Sequence, residues 1–420
     1  MKALKSFQYI LTCCLCLVLI SCTDDTADTP KVTVADAMHK SAKRGVAFKF
    51  DYGEDAQLLE PAISWSYNWG NDRPEVDAST IYLDAMKVEF CPMIWNKKFN
   101  PDAIRNWVQK HPNTQYLLAF NEPNLKDQAN MTPQVAASYW PQVKELAAEL
   151  NLKIVSPAMN YGTVSGYGDP IKWLDEFFAC DGVSLDDVCA ISIHCYMANP
   201  ASVKNYIKLF AKYNKPIWMT EFCAWESYAI HSEEDQMRYM CEVLNHMERN
   251  ESVQRYAWFI PRQYGDYPYM QLLTNDKPIE LTNVGKVFRY FSTFDKSVWL
   301  DGLKEVAASN YVEISTDAIQ VRPSQRGKHL MLYSFMPEQS VTYQIGLRKA
   351  VSSMTIYYSA PYSDAQLLLF DNGALQTIIQ FPKTDGFESM QVPVSFSEGQ
   401  HTLRIDGYAG SVNIDSFIFE

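Results

Sequence analysis

The sequence is poor in everything that usually holds a metal or a nucleotide. Seven histidines are spread over 420 residues. None of the six cysteines after residue 22 forms a C-x-x-C pair, so no metal site is expected. No G-x-G-x-x-G or P-loop follows an apolar run. The loop expected after the first strand, 51-DYGEDAQL-58, lacks the glycine pair that a pyrophosphate needs, and no cofactor is expected. Beyond the N-terminus there is no block of lysine and arginine. The formal net charge is −12, which argues against nucleic acid as a partner and suits an uncharged substrate. The apolar run from Tyr9 to Ile20 is too short to cross a membrane comfortably. Tryptophan is missing from the C-terminal part: all ten stand at or before Trp299.

What is present divides the chain. Lys2 and Lys5, the apolar run and 19-LISC-22 read as an export leader whose Cys22 is lipidated. The acidic, polar stretch that follows reads as a tether to residue 40, with the signal peptide at 1–22. An exported lipoprotein of the outer membrane is expected, facing the periplasm or the cell surface and touching the membrane through its lipid alone. Export permits disulfides, and Cys180 and Cys189, which flank a short polar loop, are the pair expected to bridge.

From residue 45 short β-prone runs alternate with amphipathic stretches. The runs are 45–50, 63–69, 89–95, 116–122, 153–160, 190–196, 216–222 and 255–260. Helical patterns cover 101–111, 133–150, 201–214 and 233–250, and one more follows the last strand near 284–291. Eight strands with intervening helices predict a (β/α)8 barrel over residues 41–298. From residue 299 the short alternating strands, broken by Gly, Pro, Ser and Asp, predict an all-β sandwich to residue 420.

A barrel of this kind does its chemistry at the C-terminal ends of its strands. There stand Asn121 and Glu122 on the fourth run, Asn160 on the fifth, His194 and Tyr196 on the sixth, and Glu221 on the seventh. Tyr67, Trp69, Trp95, Trp225 and Trp258 lie near the other ends, and flat rings of this type stack on sugars. Two carboxylates on opposite sides of one barrel mouth are what glycoside hydrolysis needs. One protonates the leaving oxygen, and the other attacks the anomeric carbon or activates water. Tyr196 is placed to donate to the ionised partner.

The segments 118-LAFNEPN-124, 154-IVSPAMN-160, 173-WLDEFF-178, 193-IHCY-196, 217-IWMTEF-222 and 255-RYAWF-259 resemble glycoside hydrolase family 128, the Asl1-like glycosyl hydrolase catalytic core. The resemblance covers about residues 45–291. It implies a retaining β-1,3-glucanase acting on laminarin- or curdlan-like glucan, with Glu122 as acid/base and Glu221 as nucleophile; endo action and a monomer are expected beside it. By the same likeness Asn121 binds the 2-hydroxyl of the sugar in subsite −1, Tyr196 steadies Glu221, and the carboxyl groups lie about 5–5.5 Å apart. His-Cys-Tyr on the sixth strand departs from the family, which often carries a bulkier middle residue. The alternatives are a clan relative that cuts another β-linked polysaccharide, and a non-catalytic lipoprotein that captures glycan at the surface.

The C-terminal stretch 381–420 resembles a family 6 carbohydrate-binding module through Gly399 to Ile405 and Asn413-Ile414-Asp415. The likeness implies Phe387 and Asn413 as sugar contacts, and Tyr362 is a further ring that could serve. The acidic start that helps such modules hold structural calcium is not evident in the sequence.

Overall fold

A polar cap followed by proline starts four of the helices, and this signal is written in the sequence. The structure, a computed structural model, describes residues 32–73, 85, 87–226, 228–263, 265 and 268–420. The expected signal peptide, its Cys22 and the tether up to residue 31 lie outside the described residues. The first helix, α1 (Gly53–Leu59), occupies the stretch read as a loop. Its Asp55 carboxylate accepts from the Asp51 and Tyr52 backbone amides and so caps the helix from within. The cap-and-proline helices are α2 (Pro101–Lys110), α3 (Pro133–Glu149), α4 (Pro170–Phe178) and α5 (Pro200–Leu209). Asn100, Thr132, Asp169 and Asn199 cap them, and each proline sits where its missing N–H costs nothing. Ser232 and Thr282 cap α6 (Glu233–Arg249) and α7 (Asn283–Tyr290).

All eight expected strands form, most of them shorter than the runs that announced them. They are β1 (Arg44–Ala47), β2 (Trp65–Tyr67), β3 (Glu89–Phe90), β4 (Tyr116–Leu118), β5 (Lys153–Val155), β6 (Val188–Cys195), β7 (Ile217–Phe222) and β8 (Val253–Trp258). They pair in parallel in the order β3-β2-β1-β8-β7-β6-β5-β4, the order of a curled (β/α)8 sheet. The expected barrel is not closed by a ladder: past the end of β3, Met93 makes a single bridge to Leu118 of β4. Inside the curl, Arg255 lies over the rings of Trp65, Tyr116 and Trp218 at 4.5–5.5 Å and pairs with Glu89 at 2.6 Å. The rings attract the guanidinium and the carboxylate matches its charge.

The chain then makes two antiparallel sheets. One runs β12 (Gln320–Pro323), β13 (Leu330–Phe335), β20 (Val412–Phe419), β15 (Val351–Ser359), β18 (Glu388–Phe396); the other runs β11 (Glu313–Ile314), β14 (Ser340–Leu347), β19 (Gly399–Ala409), β16 (Ala365–Asp371), β17 (Ala374–Phe381). Two short strands, β9 (Leu300–Asp301) and β10 (Val306–Ala307), add to them. The described end of the expected tether does not hang free. Ala35 bridges Leu300, and Val34 packs at Gly346.

The two halves are pinned through α6. The buried Asn245 amide donates to the Asp317 and Ile319 carbonyls at 3.0 and 2.9 Å, and its oxygen accepts from the Tyr311 hydroxyl at 3.2 Å. Asp317 also receives Lys204 at 2.6 Å, with His246 and Arg249 beside it. Burial would raise its carboxyl, but these three donors outweigh that and hold it well below the usual carboxylate range.

Cys180 and Cys189 do not bridge. Both are free: the Cys180 thiol turns back on its own helix end to donate to the Glu176 carbonyl at 3.2 Å, while Cys189 packs from β6 against the cluster that holds Cys91 and Trp65.

Asn245→Ala strips partners from a buried and a part-buried carbonyl and from a buried hydroxyl. It is expected to cost about 2–5 kcal/mol of stability, read as a lowered urea midpoint.

Candidate active site

The ends of the strands converge on Glu122 and Glu221, both almost fully buried. Glu122 sits just beyond β4 with φ +42°, a left-handed backbone that costs a non-glycine residue of order 1 kcal/mol. The turn holds it there through Asn121 N–H to the Trp95 carbonyl at 2.9 Å and Leu125 N–H to the Glu122 carbonyl at 3.0 Å. Its Oε1 accepts from the amide of Asn160, in the segment that follows β5, at 3.0 Å.

Glu221 is the more heavily bonded. Tyr67 hydroxyl and Trp69 indole donate to its Oε1 at 2.8 and 2.7 Å, and Tyr196 hydroxyl donates to Oε2. Burial first and the Glu221 charge second push both phenols far above their ordinary pKa, so they serve as donors and never as bases.

One imidazole ties the pair together. His194 Nδ1 lies 3.0 Å from Glu122 Oε1 and 3.5 Å from Glu221 Oε2. Its Nε2 contacts the Thr220 hydroxyl at 2.9 Å, and that hydroxyl meets Ser192 Oγ at 2.7 Å. Burial would lower the imidazole pKa, yet the charge of Glu221 and the hydrogen bond to Glu122 raise it above its ordinary value. Glu122 shows the converse. Burial would raise it, but His194 and Asn160 hold it below the ordinary glutamate range. The two opposed directions favour the proton on His194 over Glu122.

Trp69, Trp95, Asn121, Asn160, Tyr196 and Trp225 line a cleft of about 840 Å³ with the two glutamates. Trp225 stacks on Phe259 at 5.3 Å, and Trp69 and Tyr196 meet the same ring edge-on. Three residues expected as substrate contacts are not at the surface of the cleft. Tyr67 and His194 are fully buried and act on the glutamates instead. Trp258 faces the core, its indole donating to the Met270 carbonyl at 2.8 Å, and its neighbour Phe259 takes the place in the cleft. Asn121 donates its amide to Gln128 at 3.1 Å, leaving its buried oxygen without a partner and available to a ligand hydroxyl.

Thr220 is not among the site residues the sequence predicts. Neighbours on a strand face opposite ways, yet Thr220 and Glu221 reach one imidazole because β7 is irregular there. That irregularity has no mark in the sequence.

In the C-terminal sheets Tyr362 is exposed and Phe387 half-buried, on neighbouring loops joined by Thr384 N–H to the Ala360 carbonyl at 3.1 Å. Asn413 is engaged internally: its oxygen accepts from Ser334 N–H and its amide donates to Ser359 Oγ. Glu305, His329 and Asp415 gather within 4.8 Å, and an acidic residue does stand near the start of this region. The Arg326 guanidinium already serves them, at 2.8 Å from Glu305 and 3.0 Å from Asp415.

A curled eight-stranded parallel sheet with two buried carboxylates in an aromatic cleft defines a glycoside hydrolase. Residues 45–288 match the family model described as glycosyl hydrolase catalytic core, and the chain belongs to that family; its core is of the family 128 type. It is similar to the crystal structure of a GH128 (subgroup II) endo-beta-1,3-glucanase from Pseudomonas viridiflava. The two are 37% identical with a TM-score of 0.55, over 60% of this chain and 98% of that one. A subgroup II endo-beta-1,3-glucanase from Sorangium cellulosum is 31% identical with a TM-score of 0.52, over 59% of this chain and 97% of that one. Alkali-sensitive linkage protein 1 of Schizosaccharomyces pombe is 26% identical over 233 residues, 53% of this chain; the chain spans 39% of that protein's length.

Proposed function

We propose that the protein hydrolyses β-1,3-glucan with retention of configuration, Glu221 acting as nucleophile and Glu122 as acid/base. The observation that carries the reading is the shared imidazole. Legs of 3.0 and 3.5 Å meeting at one nitrogen hold the two carboxylate oxygens within about 6.5 Å of each other. Retaining pairs stand about 5–5.5 Å apart, and inverting pairs need about 6.5–9.5 Å to admit a water. The likeness to two endo-β-1,3-glucanases supports the linkage and the endo mode. Among the described residues the cleft wall has no lysine or arginine and carries Asp127 and Glu226 as well as the two glutamates. Such a wall repels uronic acids and admits a neutral glucan whose ring faces stack on Trp69, Trp95 and Trp225.

The proton inventory gives the order of events. Glu221 attacks the anomeric carbon, and its charge is consumed as the ester bond forms. The raised proton affinity of His194 depends first on that charge, so His194 yields its proton to Glu122 as Glu122 protonates the departing oxygen. In the second half, Glu122 takes a proton from water, the water oxygen attacks the same carbon, Glu221 leaves as carboxylate, and the proton passes from Glu122 back to His194. Asn121 offers its unpaired oxygen to the 2-hydroxyl of the bound sugar. The reading of residues 1–22 as a lipoprotein leader fits an enzyme that meets its polymer outside the cytoplasm. Tyr362 and Phe387 would add sugar contacts on the sandwich.

Two outcomes follow. Laminari-oligosaccharides should appear from laminarin and curdlan and not from a mannan, and Glu221→Gln should reduce turnover by about a thousandfold or more while glucan binding persists. Turnover close to wild type in Glu221→Gln would remove the assignment. His194→Gln leaves the shared proton to carboxylates alone. The alkaline limb of kcat/KM against pH should then move to lower pH, and an unmoved limb would exclude His194 as the proton store.

A further inference from the structure

A second cavity, of about 280 Å³, opens where the sandwich meets the curled sheet. Its walls come from residues 37–40 and 61–62, which precede β1 and β2, from the end of α7, and from residues 307–310, 328 and 329 of the sandwich. It therefore lies toward the N-terminal ends of the strands, away from the catalytic cleft.

Its charge runs against the rest of the molecule. In a chain of net charge −12, the described lining has no aspartate or glutamate and includes Lys40, Arg44, Arg289 and Lys328, with His39 and His329. Some of this charge is spent. Lys40 pairs with Glu60, Arg44 with Glu248, His39 with Asp295 and His329 with Asp415. Arg289 and Lys328 have no carboxylate among the described residues. Arg289 gives one nitrogen to the Leu58 carbonyl at 2.6 Å, while its buried Nε has no partner. Ser309, 1% exposed, lines the same cavity with its hydroxyl also unpartnered. Buried donors are rarely left unmade, because each costs its full desolvation. An oxyanion would satisfy both and offset the two cations.

We propose that this junction cavity is a phosphate-group site, held by Arg289, Lys328 and Ser309, which clamps the curled sheet to the sandwich. The phosphate could be free inorganic phosphate or the headgroup of a phospholipid, since the wall at residues 37–40 ends the stretch read as a tether. Both sources present the same oxygens.

The test uses the full chain. Titration with inorganic phosphate at constant ionic strength should give saturable binding and a thermal shift that chloride does not produce. Lys328→Gln, an exposed change that leaves packing intact, should weaken binding about tenfold, and Ser309→Ala should weaken it as well. Co-sedimentation with phosphatidylglycerol vesicles over phosphatidylcholine vesicles, lost in Lys328→Gln, would assign the source as a lipid; binding of free phosphate alone would assign a soluble one. Equal shifts in phosphate and chloride, or affinity unchanged in both variants, would overturn the site.

Discussion

Two carboxylates buried side by side repel each other, and the site is organised around the imidazole that lets them coexist. His194 Nδ1 hydrogen-bonds with one glutamate and stands 3.5 Å from the other, so a single ring nitrogen faces both. Every other feature of the site serves that arrangement. Thr220 fixes the far nitrogen of the ring, and Ser192 fixes Thr220. Tyr67, Trp69 and Tyr196 all donate to Glu221, while Asn160 orients Glu122. The two carboxylates thereby acquire different environments, the condition under which one can act as nucleophile and the other as acid.

The scaffold makes this geometry affordable at the strand ends. The left-handed backbone at Glu122 is tolerated because β4 fixes the chain before it and the capped helix α3 fixes it after. The antiparallel sheets are bound to the helical shell by polar contacts centred on the buried Asn245 and the half-buried Asp317. Such contacts resist relative motion of the halves better than an apolar seam would, because sliding leaves donors and acceptors bare.

Much of this was legible in the residues. The cap-proline pairs mark four helix starts in the chain, and the eight β-prone runs place Asn121-Glu122, Asn160, His194, Tyr196 and Glu221 at one mouth. The remainder depends on contacts far apart in sequence or on register. α1 reads as a loop because Asp55 is buried against Arg262 at 2.6 Å, a partner more than two hundred residues away. Trp258 and Phe259 are adjacent rings at a strand end, and only the register of β8 decides which of them faces the cleft. Cys180 and Cys189 lie close in sequence, but one ends a helix and the other lies in a strand, and spacing carries no record of side-chain direction. Tyr67 and His194 read as substrate contacts because strand ends are open in general; here each is covered and turned to the glutamates.

The central claim is that Glu122 and Glu221, held together by one imidazole, carry out a double displacement. The most direct measurement is proton NMR of the new reducing end during the first minutes of laminari-oligosaccharide hydrolysis, before mutarotation blurs the signal. The β-anomer appearing first is the result this account predicts. An α-anomer appearing first would mean that water attacks directly, and the shared-proton arrangement would then have to be read as an inverting site.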